Sequence, residues 1–260
     1  MGMQQTVTWY RELVSGRRRG LSAGFMTLSN ESRDRVKGAF EPIALAMGRA
    51  GLTPDALTLI GFAITLVGAV LLAGQQWVLG GLIVLVGGAF DMFDGTLARA
   101  TGQVSKLGAF MDSVFDRWGE GIVYVGIVVG CVSVGFSVGA VLAATAMASA
   151  FMVSYARSKS EGLGFTQGTG MAAVGLAPRE VRLVILTLGL LLAGATGGVW
   201  LYDCGALFCV GVDQGPGNLP VAASLGLITI LATITVIQRI LHVRNQARLQ
   251  ASTQPTETNT

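Results

Sequence analysis

Apolar residues run for close to twenty positions at a time in six stretches, roughly 52–74, 78–98, 107–131, 138–157, 180–203 and 218–242. About 20 apolar residues of α-helix cross the hydrocarbon core of a bilayer, so each stretch is expected to be a transmembrane helix. Ahead of them, Val36, Phe40, Ile43 and Met47 recur at helical spacing, with Arg33, Lys37 and Glu41 on other faces. That pattern predicts an amphipathic helix lying in the membrane interface, kinked or split at Pro42; the alternative is a disordered basic arm. From Gln250 to Thr260 the chain is polar and aperiodic, which predicts disorder. The expected architecture is an all-α integral membrane protein: a basic arm and interfacial helix over 1–50, a six-helix membrane domain over 51–245, and a disordered polar tail over 246–260.

Charge orients this arrangement. All 18 Lys and Arg fall before the first span, around the second-to-third and fourth-to-fifth connections, or at and beyond the end of the last span, and none lies in the three opposite loops. Basic residues are retained on the cytoplasmic side, so both termini are expected there, in the cell membrane. With 52% apolar and 13% charged residues, the composition excludes an ordinary soluble domain. Nucleic acid is not an expected partner. The 37 glycines suit close packing of membrane helices. The first fifty residues contain no apolar core of signal-peptide type, so insertion is expected to rely on the first span. Cys131, Cys204 and Cys209 lack zinc-site spacing. Cys204 and Cys209 share a loop opposite the basic side, where they are either a disulfide, if that compartment is oxidising, or two ordinary thiols.

The segment DMFDGTLARATGQVSKLGAFMDSVFD, from Asp91 to Asp116, carries the chemistry. Asp91, Asp94, Gly95 and Ala98 share one face at the end of the second helix, and Gly108, Asp112 and Asp116 share one face of the third. A short connection from Ala100 to Ser105 makes the two helices antiparallel neighbours, so the faces can meet. Four carboxylates gathered near hydrocarbon repel one another and lose hydration, at about several kcal/mol per uncompensated charge, so a cation is expected between them. Oxygen donors without His or Cys select Mg²⁺ or another hard divalent ion, with two ions expected. Gly95 and Gly108 leave backbone bare for a bulky ligand. Arg99, one turn past Gly95, either reaches a phosphate or is an interface residue with its head in water.

The spacing D-x2-D-G-x2-A-R-x8-G-x3-D-x3-D is filled without departure by Asp91, Asp94, Gly95, Ala98, Arg99, Gly108, Asp112 and Asp116. It resembles the signature of the CDP-alcohol phosphotransferases. The resemblance covers about residues 30–245 and implies a six-helix core, usually homodimeric, that moves a phosphoalcohol group from a CDP-linked lipid to an acceptor hydroxyl and releases CMP. It further implies that Asp91, Asp94, Asp112 and Asp116 hold Mg²⁺ or Mn²⁺, with Asp116 also the general base. Asp94, Gly95, Arg99 and Ser105 would then face the cytidine diphosphate, with Pro54, Asp55 and Thr58 at the start of the first helix. Read without the family, Thr53-Pro54 is a helix start with Asp55 in its first turn.

Lys106, Arg157, Lys159, Arg179 and Arg182 gather toward the same cytoplasmic mouth, and Arg179 and Arg182 are one turn apart. Such a cluster suits an acceptor that is itself phosphorylated; the alternative is ordinary retention of basic residues on the cytoplasmic side. Tyr155-x-Arg157-x-Lys159-x-Glu161-Gly162-Leu163-Gly164 with Arg179-x-x-Arg182-Leu183 is similar to the branch that makes phosphatidylinositol or archaetidylinositol phosphate. Lys159 replaces that branch's usual Arg, and Glu180-Val181 its usual Pro-Glu. The competing expectations are glycerol 3-phosphate as acceptor, or a non-enzymatic cation carrier built on the intramembrane carboxylates. Nothing in the sequence separates a diacylglycerol-type from an archaeol-type donor.

Overall fold

The computed structural model describes residues 41–165, 175–196 and 217–253, all of it helix and connecting turn with no strand among these residues. A helical stretch at 41–49, α1, is followed by α2 (Pro54–Ala73), α3 (Trp77–Thr101), α4 (Lys106–Ser133), α5 (Ser137–Gly162), α6 (Arg179–Ala195) and α7 (Asn218–Thr253). Pro54 supplies the preset first-turn dihedral of α2, and Asp55 complements that helix's positive end. Gly102, at φ 69°, turns the chain out of α3 in the left-handed conformation that L side chains avoid. Ser105 then caps α4, its Oγ accepting from the Gly108 N–H at 2.9 Å.

Among the described residues, four helices are long and apolar enough to cross a membrane: α2, α3, α5 and α7, the last over Asn218–Gln250. They coincide with four of the six expected spans. The stretch expected to cross at 107–131 lies in α4, which carries Asp112, Asp116, Arg117 and Glu120 as far as its middle and so lacks a long uninterrupted apolar window. α6 ends at Ala195, and residues 197–203 of its expected span lie outside the described residues. The interfacial helix expected around Val36 to Met47 is described only from 41 onward, where Ile43 is half exposed. Cys204 and Cys209 lie outside the described residues. The expected tail boundary moves, because α7 continues past residue 245 to Thr253. Gln246 and His242, one turn apart and 3.0 Å from each other, belong to that continuation, where a helix-compatible polar sequence propagates an existing helix.

The chain divides into two compact units. One comprises the segment up to Pro54 together with Met92–Val104; the other holds Asp55–Asp91 and the chain from Ser105 onward. In the larger unit α5 packs against both α4 and α7, and α6 against α7. Its core gathers Leu72, Tyr124, Ile127, Leu190, Leu225 and Ile228. Glycines let backbones touch: a Cβ on Gly126 of α4 would run into the Ala69 carbonyl of α2, and one on Gly68 of α2 would lie 3.0 Å from the Val84 nitrogen of α3. In the smaller unit Leu97 packs on Gly48, where a Cβ would come within 2.6 Å of its methyl.

Candidate active site

α3 carries Asp91 and Asp94 one turn apart, as their spacing requires. In the larger unit Asp91 faces Asp116 of α4 across a cation. Arg179, the first residue of α6, places Nη1 2.6 Å from Asp91 Oδ2, and the same nitrogen pairs with Asp116 Oδ1. The three side chains are between 16% and 23% exposed, so little water screens the two carboxylates from each other. The guanidinium is the positive charge that makes their proximity tolerable.

Asp116 has a second basic partner in Arg117, whose Nη2 lies 3.3 Å from Oδ2. Arg117 Nη1 donates to Ser154 Oγ of α5 at 2.6 Å and to Glu120 Oε2 at 3.2 Å. Glu120 is also gripped by Arg182, with Nε to Oε1 at 2.8 Å and Nη2 to Oε2 at 2.9 Å, while Arg182 Nη1 donates to the Ala177 carbonyl at 2.8 Å. The segment entering α6 is fixed from the other side, because Thr235 Oγ1 accepts from the Leu176 and Ala177 N–H groups, each at 3.0 Å. A cavity of about 30 Å³, enough for a water molecule, is walled by Thr65, Glu120, Tyr124, Arg179 and Arg182 among others.

Glu120 and Arg117 are not among the residues singled out from sequence. Glu120 had a signal, since it continues the Asp112, Asp116 face of α4 at the next interval of four. Arg182 was expected to share an anion with Arg179, but its guanidinium instead points to Glu120 and is only 2% exposed. Arg157 pairs with Glu161 at 2.9 Å on an exposed face of α5, and Lys106 and Lys159 are exposed. Asp112, half-buried, lies one turn before Asp116 on α4.

At the start of α4, Asp55, Ser105 and Gly108 come together: a Cβ on Gly108 would lie 3.0 Å from Ser105 Oγ and 3.2 Å from Asp55 Oδ1. Thr58, one turn further along α2 from Pro54 and Asp55, is buried. In the smaller unit Asp94 is 3% exposed, and its Oδ1 accepts from the Gly95 N–H. Arg99 folds back over Gly95, where a Cβ would stand 3.3 Å from Nη1. Arg99 also lines an open depression of about 240 Å³ with Glu41, Thr96 and Ala100. The Arg99 guanidinium thus lies where a side chain on Gly95 would point.

Among the described residues, no three His, Cys, Asp or Glu side chains converge as a metal cradle in their present rotamers. Arg179 stands between Asp91 and Asp116 where a cation is needed. The donor chemistry, carboxylate oxygens with a cation already accommodated between two of them, fits a hard divalent ion.

Residues 51–212 match the family model described as CDP-alcohol phosphatidyltransferase. An archaetidylinositol phosphate synthase of Pyrococcus horikoshii is 33% identical, over 84% of this chain and 97% of its own length. A phosphatidylinositol phosphate synthase of Mycobacteroides abscessus is 30% identical, over 82% of this chain and 87% of its own. The fold is similar to that of phosphatidylinositol phosphate synthase of Mycobacterium tuberculosis, solved with CDP-DAG bound: TM-score 0.64 at 24% identity, covering 85% of this chain and 97% of that one. The same synthase solved with manganese and citrate has a TM-score of 0.63 at 24% identity, covering 85% and 92%.

Proposed function

The chain belongs to the CDP-alcohol phosphatidyltransferase family, and from that premise we propose that it transfers a phosphatidyl-type or archaetidyl-type group from a CDP-lipid to a hydroxyl of inositol phosphate, releasing CMP. It is an enzyme of phospholipid biosynthesis, which sets aside the cation carrier. The observation that carries the acceptor assignment is the contact between Arg179 and Asp116. A base for a hydroxyl and a cation for a phosphate side by side suit an acceptor bearing both groups. The archaetidylinositol phosphate and phosphatidylinositol phosphate for which the relatives are named as synthases point the same way.

In this reading the acceptor oxygen attacks the phosphorus that carries the lipid, the bond from that phosphorus to the CMP oxygen breaks, and Asp116 takes the hydroxyl proton. Asp91, Asp94, Asp112 and Asp116 would hold divalent metal, and two Mg²⁺ or Mn²⁺ ions would, when bound, neutralise the diphosphate and the charge developing on the leaving CMP. The manganese in the solved relative supports that assignment. Arg99, Gly95, Ser105, Pro54, Asp55 and Thr58 receive the cytidine diphosphate end of the donor. Arg179 reads the acceptor phosphate with Lys106, Arg157 and Lys159 at the mouth, and Arg182 contributes through Glu120. α4 and α6 complete six spans, the one-sided basic residues put both termini and the site in the cytoplasm, and the glycine-rich faces suit a homodimer.

The test is CMP release by purified protein from CDP-diacylglycerol or CDP-archaeol, with Mg²⁺ and either inositol phosphate or glycerol 3-phosphate. Faster release with inositol phosphate is expected. Faster release with glycerol 3-phosphate would move the assignment to a glycerophosphate synthase.

A further inference from the structure

We infer that Glu120 is a positioning residue for the transfer reaction: by holding Arg182 and Arg117 it sets where Arg179 and Asp116 meet. This rests on the function proposed above. Glu120 lies one turn beyond Asp116 on α4, and among the described residues no other acid is paired with Arg182. Arg182 engages both Glu120 oxygens and the Ala177 carbonyl, so one buried guanidinium ties the middle of α4 to the residues that begin α6. Arg179 follows Ala177 by two positions, and its reach to Asp91 and Asp116 is therefore set by that tie. Through Arg117, the Glu120 carboxylate also constrains the far oxygen of Asp116 and the Ser154 hydroxyl of α5. A bidentate pair specifies orientation as well as proximity, which is what a residue presenting a phosphate-binding arginine requires.

Glu120→Gln keeps the shape of the side chain while leaving the buried Arg182 charge unmatched. It is expected to speed amide hydrogen exchange across residues 176–182, and to lower kcat/KM for the acceptor by about tenfold or more while the CDP-lipid KM holds. Glu120→Asp restores the charge with a shorter reach and should recover part of the acceptor kinetics. Should Glu120→Gln not fold, the double variant Glu120→Gln with Arg182→Met removes both buried charges, is expected to fold, and should still show the acceptor defect. Wild-type exchange at 176–182 in Glu120→Gln, or wild-type acceptor kinetics in either the single or the double variant, would overturn the inference. A wild-type protein that releases no CMP with inositol phosphate sinks the proposed function instead, and the exchange comparison then decides the positioning role by itself.

Discussion

Arg179 and Asp116 are joined across sixty-three positions of sequence, the first from the opening turn of α6 and the second from α4, with Asp91 of α3 on the same guanidinium nitrogen at 2.6 Å. One contact therefore ties three helices together where the carboxylate motif lies. It also puts the arginine proposed to bind the acceptor phosphate beside the aspartate proposed as base.

Replacing Arg179 with Ala should act mainly on the acceptor. A charge-assisted contact to phosphate is worth roughly 1.5 to 3 kcal/mol, or about ten- to more than a hundredfold in apparent affinity. Steady-state kinetics with inositol phosphate varied at saturating CDP-lipid will read it. Unchanged acceptor KM with weakened CDP-lipid binding would reassign Arg179 to the donor.

Asp116→Asn keeps the side chain's shape and removes the base. The turnover number is expected to fall by about 10² or more even at saturating acceptor, since a positioned base contributes typically 10²–10⁴. Equilibrium binding of the CDP-lipid should survive. A variant that turns over at the wild-type rate would take the base role from Asp116.

Activity should vanish on exhaustive chelation and return with Mg²⁺ or Mn²⁺, because the four aspartates proposed as ligands offer hard oxygen donors. Binding of Mn²⁺ followed by calorimetry or paramagnetic resonance should weaken in Asp91→Asn and in Asp112→Asn. Full turnover after chelation would remove metal from the mechanism.

Gly126→Ala tests the close approach of α4 to α2. The added methyl meets the Ala69 carbonyl, a backbone group that cannot step aside cheaply. Overpacking of this kind costs typically about 1–3 kcal/mol, which a lowered unfolding temperature in detergent would register. An unchanged unfolding temperature would mean that the two helices separate more easily than their packing suggests.

The amino-acid pattern alone determined that the chain is helical and belongs in a membrane, because long apolar runs of span length and one-sided basic residues are local properties that a bilayer reads directly. Spacing also determined which aspartates share a helix face: Asp91 with Asp94, and Asp112 with Asp116, follow from 3.6 residues per turn without any tertiary contact. The extent of α7 to Thr253 was not legible, since helix propagation carries a polar sequence past the point where apolar periodicity stops. Nor was the fate of Arg182. Its spacing from Arg179 suggested a shared anion, yet neighbours three apart on a helix diverge by about 60° in direction, and only the packing of α6 against the rest of the larger unit decided which acid each would meet. Arg179 turned to Asp91 and Asp116 while Arg182 turned to Glu120, sixty-two positions away. Buried charges must be matched wherever the fold carries them, and that matching is written in the rotation and register of whole helices, which no local stretch of sequence contains.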